Sequence, residues 1–152
     1  MQPIHSTFTV ERICNASLAT CWKAWTDPEL KARWFVADID GWETLESIID
    51  VRMGGRERTA ARDDKGVVHA NETTFLNIVP ASRIAFAYTM SMDDRLDSAS
   101  LAVVTFEEDG ATTKLTYTEQ GAYFVGIDGT IDRTGGIGWL YDKFKQQVEQ
   151  GQ

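Results

Sequence analysis

The 152-residue sequence has few of the residues that mark extracellular, metal-binding or membrane proteins. It contains two cysteines, two histidines and three prolines, and no long uninterrupted apolar run. Two cysteines in different predicted elements, a strand and a helix, are typical of small core side chains rather than of a disulfide framework. No apolar run approaches the roughly 18 residues that a spanning helix needs. We therefore expect a cytoplasmic protein without a membrane segment.

Positive charge is also scarce. The chain has 15 Lys and Arg against 23 Asp and Glu, which gives a net charge of −8 at pH 7. An acidic protein of this kind is repelled by phosphate backbones and by anionic lipid surfaces. This charge argues against nucleic acid and membranes as partners.

Motifs for known catalytic or metal chemistry are missing from the sequence. It has no CxxC, HExxH, phosphate-binding loop or GxSxG. His5 is expected in a frayed N-terminus. His69 has only Glu72 nearby, and residues three apart on one strand point to opposite faces. We therefore predict no catalytic residue, no metal and no cofactor.

The clearest positive signal is a C-terminal amphipathic helix over about 129–150. Its apolar side chains recur at i, i+3, i+4, i+7 and i+11, as a helix with one buried stripe requires. They are Ile137, Leu140, Tyr141, Phe144 and Val148.

Two features of this helix are unusual. Gly135, Gly136 and Gly138 each cost about 1 kcal/mol in a helix interior relative to Ala. They indicate either a close backbone approach to another element or a helix that begins only after Gly136. Trp139 lies opposite the apolar stripe. It either packs under the loop of the N-terminal helices or is exposed as a partner contact.

The rest of the chain predicts strands separated by tight turns, with two short helices after the first strand. The two helices are predicted from capping residues and apolar residues at helical spacing between residue 17 and about residue 34. Asp27 and Pro28 begin the second helix. The strands are expected over 7–14, 42–51, 56–62, 67–79, 83–92, 96–107 and 112–120. Short connections favour an antiparallel meander. The prediction is one α+β domain over residues 1–152, with a curved sheet of about seven strands wrapped around the terminal helix.

Aromatic residues make up 11% of the chain, and many fall where they could face the concave side of such a sheet. Aromatic-lined concavities bind apolar ligands, with a few polar groups fixing orientation. The alternative is that these side chains only fill the core. Arg58 is either part of a solvated strand face or an inward anchor for an acidic ligand. The candidate ligand-binding residues are Trp34, Phe35, Trp42, Arg58, Glu72, Phe75, Phe86, Tyr88, Tyr117, Phe124 and Tyr141.

Several motifs together resemble the activator of heat-shock-protein-90 ATPase homologue-like domain, in its bacterial single-domain form. They are the stretch from Ala16 to Trp34, the D-x-R-x-G-G turn at 50–55, Pro80 followed by Arg83-Ile84, and the strand at 113–121. The family usually places a Gly-Trp pair at the start of its last helix. Here Gly136-Ile137 stands in that place, and Trp139 lies two residues on.

The resemblance implies a helix-grip fold of the START-like, or SRPBCC, superfamily, with a deep hydrophobic cavity between sheet and helix. Its members include lipid and polyketide binders, cyclases and hydroxylase ligand domains, without shared catalytic residues. Fold alone does not give function. Our first hypothesis is a protein that binds an apolar or amphipathic small molecule in a cavity of several hundred Å³.

Two further hypotheses stay open. The second is an interaction module that regulates a chaperone ATPase, with a chaperone or a second copy of the chain as partner. The third is a small cyclase-like enzyme that uses acid–base groups of the cavity, although no poised base with an orienting partner is evident in the sequence.

Overall fold

The computed structural model describes residues 2–36 and 39–150. Seven strands and three helices follow one another as β1 (Ile4–Cys14), α1 (Leu18–Thr26), α2 (Pro28–Phe35), β2 (Glu43–Ile48), β3 (Arg56–Arg62), β4 (Val68–Val79), β5 (Arg83–Met92), β6 (Arg95–Asp109), β7 (Thr112–Tyr123) and α3 (Thr130–Gln150). This order confirms the predicted α+β class, the two short helices and the long terminal helix.

All strands belong to one antiparallel sheet in the order β1-β7-β6-β5-β4-β3-β2. Consecutive strands from β2 to β7 are neighbours, as the short turns predict, and β1 completes the sheet beside β7. Gly66 and Gly110 take left-handed φ angles of 85° and 60° in two of the hairpin turns. Glycine adopts this conformation without the strain that a side chain would add. The helix-grip fold is therefore the observed fold.

The first strand is longer than its sequence pattern indicates. It begins at Ile4 rather than at residue 7, and His5 pairs with Ala122 of β7. The expectation of a frayed terminus around His5 is wrong, because β7 continues to Tyr123 and offers backbone partners to the start of β1. This extension places Ser6 on the sheet face that the helices cover.

The two short helices begin at side-chain caps. Ser17 accepts the backbone N–H of Thr20, and Asp27 accepts the N–H groups of Glu29 and Leu30. These bonds satisfy donors that the first turn of a helix leaves unpaired. The two capped helices bury Trp25 and Trp34 in the core against the sheet.

An aromatic core fills the space between these helices, the sheet and the second half of α3. Phe75 and Phe86 have ring centroids 5.8 Å apart, and the Trp34 ring lies 5.1 Å from that of Phe144. The predicted stripe of α3 is the buried one, with Tyr141, Phe144 and Val148 buried and Ile137 and Leu140 packed at the edge of the core. Cys14 and Cys21 are also buried, as free thiols.

The three glycines of α3 do not share one role. The helix already begins at Thr130, so Gly135 and Gly136 lie inside it, and a Cβ at either position would meet no atom within 4 Å. Only Gly138 has a close neighbour. A Cβ there would lie 3.2 Å from Nη2 of Arg12, which donates a hydrogen bond to the Gly138 carbonyl. Close approach therefore explains Gly138 alone.

Trp139 is 44% exposed and lines a groove of about 670 Å³ between β1 and α3. Ile131, 86% exposed, lies on the same groove, and Nζ of Lys143 stands 4.7 Å from the Trp139 ring. Of the two alternatives for Trp139, the structure shows the exposed one. No helix in residues 2–36 or 39–150 has the length and apolar character needed to cross a bilayer.

Replacing both open glycines, Gly135→Ala and Gly136→Ala, is expected to stabilise the protein by about 1 kcal/mol per site. Alanine loses less backbone entropy in a helix, and both positions have free space. Urea unfolding measures the change. Gly138→Ala is the matched control, because its new Cβ would press on Arg12. A stabilisation of Gly138→Ala equal to that of the other two sites would contradict this explanation.

Candidate functional site

One cross-strand row of the covered sheet face carries polar side chains at every position except a single glycine. The register aligns residues of six neighbouring strands, and their side chains point towards α3 and α2 rather than to solvent. From β1 to β3 the row is Ser6, Gly121, Ser100, Tyr88, Thr73 and Glu57. A buried polar row needs partners for every group, so the contacts along it define the candidate site.

Glu119 of β7 lies beside this row and is completely buried. Its Oε1 accepts hydrogen bonds from the hydroxyls of Tyr88 at 2.5 Å and Tyr117 at 2.6 Å. Its Oε2 accepts from Ser100 Oγ at 2.9 Å and from Nη1 of Arg133 at 3.0 Å. Four donors from four elements therefore converge on one carboxylate, which compensates for its removal from water.

Arg133 belongs to the second turn of α3 and connects the helix to three strands. Its Nη1 also donates to the Tyr88 hydroxyl at 2.8 Å, and its Nη2 donates to Ser98 Oγ at 2.7 Å. The guanidinium carbon lies 5.4 Å and 5.5 Å from the ring centres of Tyr88 and Tyr123. Only 16% of the Arg133 side chain is exposed, so this is a nearly buried cation between aromatic faces.

The electrostatics of the cluster keep its protons in place. Burial raises the pKa of both Tyr88 and Tyr117, and the neighbouring Glu119 raises them further. Burial alone would lower the pKa of Arg133, but Tyr88 and Glu119 raise it above its ordinary value. Both phenols thus stay protonated as donors, and the guanidinium stays charged at physiological pH.

A second buried ion pair closes the other end of the row. Nζ of Lys31 on α2 contacts Oε1 of Glu57, and both side chains are 1% exposed. The ammonium also lies 3.8 Å from the ring centre of Trp25 and 4.5 Å from that of Phe35. Burial lowers the pKa of Lys31 to about 8, against the opposing effect of Glu57. The amine is therefore still mostly charged at pH 7.

The concave face is open beyond the polar row. In the next row, Thr59, Asn71 and Met90 are half-buried, and Asn71 donates a hydrogen bond to the Met90 sulfur. Trp42, from the chain before β2, stacks on His69 with ring centres 4.7 Å apart. This open end combines adaptable apolar surface with hydrogen-bonding groups, next to Arg133 and Ser98.

The arrangement suits holding a polar group better than moving a proton. Both oxygens of Glu119 already accept two hydrogen bonds each, and the phenols that donate to Oε1 have raised pKa values. A poised base needs a free lone pair directed at its substrate. Among the described residues, no three His, Cys, Asp or Glu side chains gather into a group that could hold a metal.

Comparison with known proteins places this geometry in a family. The family described as "Activator of Hsp90 ATPase homolog 1-like protein" matches residues 15–149, nearly the whole chain. The chain belongs to this family. The resemblance of the sequence motifs is thereby confirmed. No curated protein matches the chain.

Several solved structures share the fold. An uncharacterized protein from Rhizobium leguminosarum is 34% identical, with a TM-score of 0.92 over 98% of this chain and 97% of that one. The Mll3558 protein from Rhizobium loti is 36% identical, with a TM-score of 0.89 over 97% and 100%. An AHSA1-like protein from Aeromonas hydrophila, 23% identical with a TM-score of 0.67 over 96% and 94%, shares the fold.

Most of the predicted ligand-binding aromatics do face the space between sheet and helices. They pack against one another, since neighbouring rings in the group have centroids between 5.5 and 6.3 Å apart. This group comprises Trp34, Phe35, Phe75, Phe86, Tyr88, Tyr117 and Tyr141. Tyr88 and Tyr117 are the two that also belong to the Glu119 cluster.

Two predicted charged residues lie on the other face, which corrects the inward placement of Arg58. Glu57 occupies the inner position of β3, so alternation turns Arg58 outwards. There Arg58 pairs with Glu46 at 2.6 Å and with Glu72 at 2.8 Å. Arg58 and Glu72 line a depression of about 550 Å³ on the outer face of the sheet. The solvated strand face is the interpretation that the structure supports.

The remaining two aromatics lie away from the aromatic core. Phe124 is 41% exposed just beyond the end of β7, because Tyr123 takes the last inner position of that strand. Its inward placement is therefore also corrected. Trp42 reaches the concave side only at its open end, through its stacking on His69.

Sequence reasoning missed the charged and hydroxyl-bearing members of the site: Lys31, Glu57, Ser98, Ser100, Glu119, Tyr123 and Arg133. Two signals could have found part of it. Glu119 follows Leu115 and Tyr117 at the period of two that defines the inner face of β7. Arg133 stands four residues before Ile137, at the N-terminal end of the apolar stripe. Their partners come from distant strands, which no local pattern reveals.

Removing one partner of the Lys31–Glu57 pair, by Lys31→Met or by Glu57→Leu, is expected to destabilise the protein by about 3–5 kcal/mol. Each change leaves a buried charge without its partner. The double variant should recover most of the loss, because methionine suits the aromatic surroundings of Lys31. Urea unfolding of the four proteins forms a double-mutant cycle. Additive losses in the double variant would show that the pair is not coupled.

Proposed function

We propose that this protein binds a small amphipathic molecule at the open end of its concave face. The polar part of the ligand would lie against the Arg133–Glu119 cluster, and the apolar part against Met90 and Trp42. The observation that carries the proposal is the buried polar row, which leads from a closed aromatic core to a half-buried surface. A row of this kind is costly to fold and useful for orienting a ligand.

The packing of the aromatic core supports this position for the ligand. Trp34 packs on Phe144, and Phe75 packs on Phe86, so these rings form the wall behind a ligand rather than an empty chamber for it. At the open end, Met90 and Met92 are half-buried, and methionine side chains adjust their shape at little cost. A ligand there would cover apolar surface that the protein itself leaves half-exposed.

Filling the open end by Met90→Trp is expected to weaken binding of a medium-chain amphiphile at least about tenfold, or 1.4 kcal/mol. The larger ring would occupy the place of the apolar chain, while the fold is retained. Titration calorimetry with 1-decanol measures the affinity, and thermal unfolding of the ligand-free variant checks the fold. Met53→Trp, at a turn residue that is 63% exposed, is the matched control.

Equal affinities of the Met90→Trp and wild-type proteins would place the ligand elsewhere. Native mass spectrometry of the protein purified from its host offers an independent measurement, since a bound amphiphile adds a defined mass. Absence of binding for both decanol and the host's extractable small molecules would reject the proposed function.

A second candidate function, regulation of an Hsp90-type chaperone ATPase, is favoured by one observation. Trp139 and Ile131 are exposed on the groove between β1 and α3, away from the polar row. Exposed large apolar side chains at a groove are typical of protein contacts. In this case the wild-type protein would change the ATPase rate of the chaperone. Trp139→Ser would abolish that effect, whereas Leu101→Ser, at an exposed residue of the sheet, would keep it. An unchanged ATPase rate with wild-type protein in excess would reject this candidate.

A further inference from the structure

Two buried hydroxyls beside the Arg133–Glu119 cluster have no hydrogen-bond partner among the described residues. They are Ser6 Oγ of β1 and the Tyr123 hydroxyl of β7. Ser6 stands opposite Gly121, two residues before Tyr123, so the two side chains are diagonal neighbours on one sheet face. A buried hydroxyl without a partner loses its hydrogen bonds to water, and no hydrogen bond within the protein offsets that cost. Two such groups on neighbouring positions of one sheet face indicate that something else completes them.

Two glycines allow close packing beside these hydroxyls. A Cβ on Gly121, which pairs with Ser6, would come within 2.7 Å of Ser100 Oγ, so glycine lets Ser100 pack against the backbone there. A Cβ on Gly129 would lie 2.7 Å from the Tyr123 ring, so only glycine lets that ring lie against the start of α3. The position of the Tyr123 ring therefore depends on the absence of a side chain at residue 129.

The charge at this end of the concave face is already balanced. The Arg133 guanidinium is paired with the Glu119 carboxylate, and its second nitrogen is used by Ser98. A ligand carboxylate here would add an uncompensated negative charge near Glu119, and an ammonium group would do the same near Arg133. Either costs much more to bury than a neutral group. Charge thus selects against both ionic classes.

We propose that the ligand of this site presents an uncharged hydroxyl or carbonyl group, held by the Tyr123 hydroxyl and Ser6 Oγ. Each protein hydroxyl can donate one hydrogen bond and accept others, so together they can satisfy either group. This inference rests on the proposed function and adds the chemical class of the ligand's polar end. It makes Tyr123 and Ser6 the residues that determine specificity.

The test compares two probes of equal chain length, 1-decanol and decanoic acid, at pH 8, where the free acid is ionised. Titration calorimetry of the wild-type protein should give at least about tenfold tighter binding of the alcohol. Ser6→Ala and Tyr123→Phe should each reduce that preference several-fold. Ser47→Ala, at an exposed serine of β2, is the matched control and should leave the preference unchanged.

A charge variant tests the same argument in the opposite direction. Glu119→Gln removes the negative partner of Arg133, so the preference should move towards decanoic acid. Thermal unfolding of the ligand-free proteins gives a second, independent measurement. Tyr123→Phe removes a hydroxyl without a partner, so its Tm should equal or exceed that of the wild-type protein.

Each contrary result has a defined meaning. Tighter binding of the acid by wild-type protein, or an unchanged preference in both hydroxyl variants, overturns the inference while the proposed function stands. A Tm of Tyr123→Phe lowered by about 2–4 °C would show that its hydroxyl is already bonded, for instance to water, and would also overturn the inference. Binding of neither probe rejects the inference together with the proposed site.

Discussion

The ion pair between Arg133 of α3 and Glu119 of β7 is the constraint on which the arrangement of the helix depends. An apolar stripe alone allows a helix to slide along a sheet by a turn at little cost, because one apolar contact replaces another. A buried carboxylate with four donors does not allow this, since a shift would leave it unpaired. The pair therefore defines how far α3 reaches over the concave face and where its open end begins.

The Lys31–Glu57 pair has the same effect for α2. It joins the short helix to β3 through a contact that is fully buried and surrounded by aromatic rings. The two pairs stand at opposite sides of one polar row, and the aromatic core lies beside that row. The covered face of the sheet thus has a closed apolar half and a polar half, and the polar half reaches the open end of the concave face. In the Activator of Hsp90 ATPase homolog 1-like fold of this chain, the second half carries the proposed ligand site.

The fold was readable from the sequence to a large extent. The strands Arg56–Arg62 and Arg83–Met92 and the stripe of α3 have the predicted bounds or spacing, because alternation and helical periodicity are local signals. The inner position of Tyr88 and Tyr117 followed from the same alternation. Charged residues at inner positions could not be recognised in this way. A charge is read as solvent-facing unless its partner is known, and the partners of Glu57 and Glu119 come from distant parts of the chain. Arg58 is the opposite case: its inward placement fails because its partners, Glu46 and Glu72, lie on the outer face of the sheet.

Gly135 and Gly136, the two glycines of α3 with free space around them, affect how a ligand could enter the site. Gly135 and Gly136 follow Arg133 by less than one turn, and they lack side-chain contacts with any other element. The first two turns of the helix are thus joined to the well-packed remainder through its weakest segment. Fraying of this segment would release Arg133 and uncover the polar row, while Tyr141, Phe144 and Val148 would stay packed. Any opening of the site beyond its half-exposed end would therefore begin in the first two turns of α3 and leave the sheet unchanged.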